Sequence, residues 1–399
     1  QAAGPQAAGA AQGDAAALHA AAAEGRAEVV RRLCRAKADV NVALPDSALV
    51  LFEAAGELVK VLECFVGTTP LVTAGFVGAT PLITAGFHFH GHVEVVRCLC
   101  EAGAAKEKAA SAGIRPLHAA AYCGHVEVVR YLCQAGADKD GPNEDGSTPL
   151  HCSAYFGRPE VVRYLCQEGA DMEKVSAHGR TPLIEAAGQG HLEAVRCLCE
   201  AGADRDRANR DGSTALHASA HAGQLEVVRY LCQAGADKDR SAEDGSTPFH
   251  CSAYWGQPEV VRYLCQEGAD TERVSVYDIT PLVLAAEQGH LEAVRRLCEA
   301  GAHKGRADRE GHTALHTAAW EGRPEVLRWT RTLCRAGADL EKVSAYGCTP
   351  IMNAAIQGHL EAVRRLCEAG AGRREAAAEL AAQEGHREVL LQLSGGRRG

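Results

Sequence analysis

The chain has 399 residues, a length at which an ordinary globular protein divides into two or three domains. Its 42 basic and 51 acidic residues leave a net charge of −9. That balance argues against a binder of phosphate backbones, which needs a basic face, and no block of like charge marks an acidic or basic tail. Aromatic residues make up 5% of the chain, so each one at a surface position is informative.

In chain order, residues 1–13 are mostly Ala, Gly and Gln, a low-complexity lead expected to be disordered. No secretory signal opens the chain, and with Gln at position 1 the natural start is expected to lie upstream. A repeated pattern begins at about Asp14. Leu18-His19-Ala20-Ala21, Gly25 and Glu28-Val29-Val30 form its first recognisable unit. Glu57-Leu58-Val59-Lys60-Val61-Leu62 fits a second helix, but residues 42–90 as a whole are irregular. Thr69-Pro70-Leu71 returns as Thr80-Pro81-Leu82 after only 11 residues, and Gly91 arrives two residues late. The uncharged stretch Cys64–Phe87 is long enough to resemble a membrane span. Pro70 and Pro81 interrupt it, and it is rich in Gly and Thr, so no span is expected.

Beyond that stretch the register is regular. The motif Thr148-Pro149-Leu150-His151 recurs, with substitutions, at Arg115, Thr181, Thr214, Thr247, Thr280 and Thr313 in steps of 33 residues. Thr349 follows after 36, with Trp329, Thr330 and Arg331 as the extra residues. A Gly stands nine positions after each start, from Gly124 to Gly358. Then comes a second helical pattern such as Pro159-Glu160-Val161-Val162-Arg163-Tyr164-Leu165-Cys166, closed by Gly169-Ala170-Asp171 and a polar stretch. Residues 372–393 carry the helices, within Glu375–Leu393, but a shortened polar stretch; they read as a C-terminal cap, and 394–399 as a tail.

Each position has a physical cause. Thr accepts from the free N–H groups that open the first helix. Pro suits the first helical turn, where its missing N–H costs nothing. Paired Ala residues let helices approach, and the Gly takes the left-handed conformation that ends the first helix. Val and Leu at helical spacing face a core. A unit of about 33 residues with a turn, two helices and a T-P-L-H-x-A signature resembles the ankyrin repeat. The resemblance runs from about Asp14 to Leu393 and is most specific between Thr80 and Ala371. It implies an all-α repeat solenoid of stacked ankyrin helix-turn-helix units with short hairpin fingers, residues 14–393 forming one repeat domain. A longer period is also visible: Gly146–Tyr155 returns almost unchanged as Gly245–Tyr254, 99 residues on.

The 17 cysteines do not read as a disulfide framework. Ten form one column: Cys34, Cys100, Cys133, Cys166, Cys199, Cys232, Cys265, Cys298, Cys334 and Cys367. Stacked repeats hold such residues about 10 Å apart, whereas a disulfide needs Cα atoms within about 7 Å. A reduced, buried column is expected, in an intracellular and cytoplasmic protein.

Most of the 18 histidines also belong to the repeat. His19, His118, His151, His217, His250 and His316 hold the fourth motif position, where the resemblance implies hydrogen bonds that support the turn. His92, His125, His191, His290, His359 and His386 follow the inter-helix Gly. The cluster His88-Phe89-His90-Gly91-His92 could gather imidazoles, and Cys98-x-Cys100 and Cys197-x-Cys199 look like ligand pairs. No acidic second ligand is fixed near the first, and residues two apart on a helix do not face each other, so no metal or other cofactor is expected. No phosphate-binding loop or nucleophile–base set departs from the repeat, and the chain is not expected to be an enzyme.

The resemblance implies that partners bind a concave face made by the fingers and first helices. Two positions after each Ala pair should line it, and two of the three Trp fall there. The expected partner-binding residues are Tyr122, Tyr155, Phe156, Tyr254, Trp255, Trp320 and Glu321. In the fingers His178, Tyr277 and Tyr346 join them, alternating with Asp145, Asp211 and Asp244. Such aromatic residues are enriched at interface hot spots. A mixed aromatic and acidic face suits a basic or extended polypeptide, or a partner helix. The function expected is a monomeric, non-enzymatic protein–protein interaction scaffold or adaptor. The alternative is the regulatory or substrate-recruiting ankyrin region of a larger signalling or ubiquitin-ligase assembly. A nucleic-acid binder is disfavoured by the charge.

Overall fold

The computed structural model describes residues 17–43, 80–87, 92–323, 325 and 337–395. The low-complexity lead, residues 44–79, the cluster His88–Gly91, Cys334 and the extra residues Trp329–Arg331 lie outside them. The chain divides into two compact units, Gln1–Arg210 and Asp211–Gly399.

In the first unit a helical stretch, 17–23, is followed by α1 (Ala27–Arg35), α2 (Pro81–Phe87), α3 (Val93–Glu101), α4 (Pro116–Cys123), α5 (Val126–Gln134), α6 (Pro149–Tyr155), α7 (Pro159–Gln167), α8 (Pro182–Gln189) and α9 (Leu192–Glu200). The first helices pack in series, α2 on α4 on α6 on α8. The second helices form a parallel layer, α1 on α3 on α5 on α7 on α9. In the second unit the helices are α10 (Ala215–His221), α11 (Leu225–Gln233), α12 (Pro248–Tyr254), α13 (Pro258–Gln266), α14 (Pro281–Glu287), α15 (Leu291–Glu299), α16 (Ala314–Trp320), α17 (Pro350–Ile356), α18 (Leu360–Ala369), α19 (Arg374–Gln383) and α20 (Arg387–Ser394). Here α10, α12, α14, α16, α17 and α19 pack in series. Apart from an isolated bridge between Ala307 and Thr313, no strand occurs among the described residues. The architecture is an all-α repeat solenoid.

The core follows from the spacing. In α7, Val161, Val162 and Leu165 are buried while Glu160 and Arg163 point to solvent. In α6, Leu150, Ser153 and Ala154 are fully buried. Burying each Leu contributes roughly 1.5–3 kcal/mol. The small residues cost little side-chain entropy and bring neighbouring first helices together. The caps form as the motif requires: Thr148, Thr181 and Thr280 accept from the N–H of His151, Ile184 and Val283 at 3.3–3.4 Å.

Fingers join successive repeats by a backbone ladder. The N–H groups of Glu144 and Ala177 donate to the carbonyls of Ala112 and Asp145, and in the second unit Glu243, Val276 and Ala345 donate to Asp211, Asp244 and Glu310. A second tie was not legible as more than a polar stretch. The carboxylates of Glu107, Asp140, Glu173, Glu272 and Glu341 accept the N–H of Asp138, Asp171, Asp204, His303 and Gly372, each 31 residues on, at 2.6–2.9 Å.

The repeat at 17–43 stacks directly on the repeat that starts at Thr80. Helix α1 packs on α3. His19 Nδ1 lies 3.1 Å from Thr84 Oγ1, and Asn41 Oδ1 accepts Ala105 N–H at 2.7 Å. Cys34 and Cys100 are therefore neighbours in the column across a double step of sequence. Residues 80–87, which belong to the stretch expected to be irregular, form a regular first helix. Of the two Thr-Pro-Leu copies, the one at Thr80 opens it.

The described cysteines are free, but the column is mostly half-buried rather than buried. Among the described members of the column only Cys199 is buried; Cys98 and Cys197, two residues before their column neighbours, are buried as well. The column lies near the end of each second helix, beside the turn to the finger, which leaves its half-buried members partly open to solvent.

Candidate protein-binding face

The fourth-position histidines fix where the first helices meet the fingers. His118, His151, His217, His250 and His316 each donate from Nε2 to a carbonyl of the following finger: Ser147, Arg180, Ser246, Ile279 and Cys348, at 3.0–3.2 Å. Their Nδ1 atoms accept a backbone N–H at the helix start, as from Thr148 to His151 at 3.2 Å. Burial holds His118, His151, His250 and His316 neutral, lowering their pKa to about 4. The second histidine column ties the other end of the first helices. His191, His290 and His359 meet the carbonyls of Tyr155, Tyr254 and Trp320 at 2.9–3.0 Å. The two columns thus anchor the backbone that carries the aromatic residues.

The expected residues do not share one environment. In the first unit Tyr122, Tyr155 and Phe156 are half-buried and pack on one another. Phe156 lies 3.9 Å from Tyr122 and 4.8 Å, edge-on, from Tyr155, measured between ring centroids. Tyr122 also rests on the cluster of Ile83, Ala110, Ile114 and Ala119. These rings are packing elements as much as surface. His178 is exposed at its fingertip.

In the second unit the rings stand out. Trp255 is 50% exposed and stacks on His221, with Tyr254 edge-on to it at 5.5 Å. Tyr277 and Tyr346 are 64% and 67% exposed at their fingertips, and Trp320 is 44% exposed beside Glu321. Two grooves gather these residues. The first, of about 520 Å³, is lined by Tyr254, Trp255 and Tyr277 with Asp211, Glu243 and Asp244. The second, of about 580 Å³, is lined by Trp320, Glu321 and Tyr346 with Glu287, Glu310 and His312.

Glu310 and His312 were not among the expected residues. Glu310 sits in the same fingertip column as Asp145, Asp211, Asp244 and Tyr277, so the 33-residue step could have found it. His312 became a groove residue only through the fold: its ring lies 5.9 Å from that of Tyr346, on the next finger. The second groove is electronegative. Burial, then the neighbouring Glu321, pushes the Glu287 carboxyl above its ordinary range. The Glu310 carboxylate likewise raises the Tyr346 phenol.

Among the described residues, no group of three or more His, Cys, Asp or Glu is arranged to hold a metal ion, and no helix is long and apolar enough to cross a membrane. Cys98 and Cys197 are buried, while Cys100 stands half-buried at the helix end.

Comparison with known proteins agrees with this architecture. The family described as Ankyrin repeats (3 copies) matches residues 51–143, 88–176, 136–209, 168–242, 201–275 and 272–340. The family Ankyrin repeat matches 15–43 and 346–374. The chain belongs to the ankyrin-repeat family, whose repeats are modules of protein–protein interaction. Among solved structures, it is similar to the human ASB11 ankyrin repeat domain at 26% identity, over 51% of this chain and 92% of that one, with a TM-score of 0.48. It is also similar to the ankyrin repeat domain of Bcl-3, described as a unique member of the IkappaB protein family. There the identity is 30%, over 57% of this chain and all of that one, with a TM-score of 0.49. No curated protein matches the chain.

Proposed function

We propose that the chain is a non-enzymatic scaffold or adaptor that binds a polypeptide partner on the face formed by its first helices and fingers. The observation that carries this reading is the pair of grooves in the second unit, where Trp255, Tyr277, Trp320 and Tyr346 stay exposed although the same fold buries most of its apolar side chains. Exposed Trp and Tyr in concave sites anchor partners. The protein acts as a monomer inside the cell, where its free cysteines stay reduced. It needs no cofactor, and the carboxylates in both grooves repel nucleic acid. The test is affinity capture from cell extract with the native chain and with a Trp255→Ala/Tyr277→Ala variant, both checked by thermal melting. The variant should lose captured polypeptides while keeping its melting curve. Identical capture by both chains would overturn the assignment of this face.

A further inference from the structure

We infer that the groove at Trp320 and Tyr346 receives one arginine or lysine side chain of the partner polypeptide, against the two rings and paired with the carboxylates of Glu287, Glu310 and Glu321. The inference rests on the protein-binding reading and names the partner's chemistry at one site.

Three observations converge on a cation. The first is shape and lining: about 580 Å³ of open groove, with two exposed aromatic rings and three carboxylates. A guanidinium or ammonium over a Trp or Tyr face is attracted by the ring quadrupole, and carboxylates at the rim pair with it. The second is the excess of carboxylates: Glu310 has only the His312 Nδ1 beside it, at 3.6 Å, and Glu321 only the Arg323 guanidinium, at 4.0 Å. Among the described residues, no lysine or arginine lines this groove. Arg323, beside the groove, donates from Nε to the Glu287 carbonyl at 2.8 Å and has Nη2 4.0 Å from Glu321, so it offsets the charge of Glu287 and Glu321 in part. The third is crowding. Glu287 is held above its ordinary pKa by burial, by Glu321 and by Asp308, and Tyr346 by Glu310 and Asp308. A partner's positive charge would relieve that repulsion.

The first groove is acidic as well. The Asp244 carboxylate there already accepts the Ser246 N–H and hydroxyl at 2.8 and 2.9 Å. An acidic partner segment would meet like charge in either groove, and an apolar one would leave the three glutamates of the second groove desolvated without a counter-charge.

The test uses the full chain and an array of random peptides that share one central residue: Arg, Lys, citrulline or Glu. Citrulline keeps the shape of Arg without its charge. Central Arg or Lys should be retained at least about tenfold better than citrulline, the size of one charge-assisted contact. Trp320→Ala and, separately, Glu310→Gln/Glu321→Gln should abolish that preference. The second variant alters exposed groups of nearly the same shape, so it keeps the test valid if Trp320→Ala destabilises the chain. Peptides retained without preference for a cation, or a preference that survives Glu310→Gln/Glu321→Gln, would overturn the inference and leave the protein-binding reading standing. Failure to retain any peptide would also overturn it, with the capture experiment on the Trp255 variant deciding the broader reading by itself.

Discussion

The indole of Trp255 lies over the imidazole of His221, one repeat earlier, with ring centroids 4.2 Å apart and planes 28° from parallel. Half of Trp255 nevertheless remains exposed. Phe156, at the matching place 99 residues earlier, is wedged against both Tyr122 and Tyr155 and is half-buried. The two positions should therefore respond differently. Trp255→Ala is expected to weaken partner binding by about 2 kcal/mol or more, and to cost folding only about 0.5–1.5 kcal/mol for the lost ring pair. Phe156→Ala should cost folding about 3 kcal/mol through lost packing. Calorimetric binding beside melting curves separates the two. Unchanged affinity with an equal fall in melting temperature for both variants would make Trp255 a packing residue.

The contrast marks how far the sequence could be read. The stack, its caps and its fingers were legible because each depends on a local pattern that repeats: Thr148 and His151 make the same contacts as Thr247 and His250. The face was legible as a set of positions, since it follows the Ala pairs. Exposure at those positions was not. It depends on what the previous repeat offers: Tyr122 beneath Phe156, His221 beneath Trp255. The direct stacking of residues 17–43 on the repeat at Thr80 was hidden for a similar reason. Thr69 and Thr80 open the same motif, and the choice between them is made by long-range partners such as His19 and Thr84.

Gly223→Val should destabilise the second unit, and Glu321→Ala should not. Gly223 has φ +72°, a left-handed conformation that strains a β-branched residue, and a Cβ there would run into the Gln257 carboxamide. That carboxamide donates to the His221 carbonyl at 3.1 Å, so the clash also loosens an inter-repeat bond. The cost is expected to be on the order of 1–3 kcal/mol. Glu321 is exposed and only 4.0 Å from Arg323, a surface pair worth about 0–1 kcal/mol. Urea midpoints check this, and coincident midpoints for the two variants would contradict it.

The half-buried cysteines should still label slowly. Burial pushes the thiols of Cys133, Cys166, Cys232, Cys265 and Cys298 up to about 11, and those of Cys152 and Cys251 to about 12. The thiolate is the reactive form, so native labelling near pH 8 should run roughly a hundredfold slower than labelling of the unfolded chain. A thiol-reactive chromophore with and without denaturant measures the ratio. Rapid native reaction of most of the column would show that its partial exposure, and not its burial, controls reactivity.

The fourth-position histidines make the fold sensitive to acid. Burial lowers His19, His118, His151, His250 and His316 from the ordinary 6.5 to about 4, and lowers His217 as well. Geometry gives the same sign: Nδ1 of His217, His250 and His316 accepts a backbone N–H at 3.2 Å, and protonation would set two N–H groups head to head. The unfolded chain binds these protons near pH 6.5, and the folded chain only near pH 4. Stability is therefore fully present above about pH 6.5 and is lost as pH falls toward 4, by on the order of 3 kcal/mol at the lower end for each of the five whose pKa falls to about 4, His217 adding in the same direction. Glu185 and Glu287 act in the opposite sense, since burial raises their carboxyls and their protonation favours the folded state as pH falls. Two groups with modest upward shifts do not offset six histidines, so the net slope is set by the imidazoles. Urea midpoints taken from pH 7 to pH 4.5 should fall steadily, with the steepest loss below pH 6. His250→Asn, which has no group to charge, should start less stable at pH 7 and lose less over the same interval. A flat or rising midpoint in the native chain would mean that the buried imidazoles accept protons without breaking the ties to the fingers.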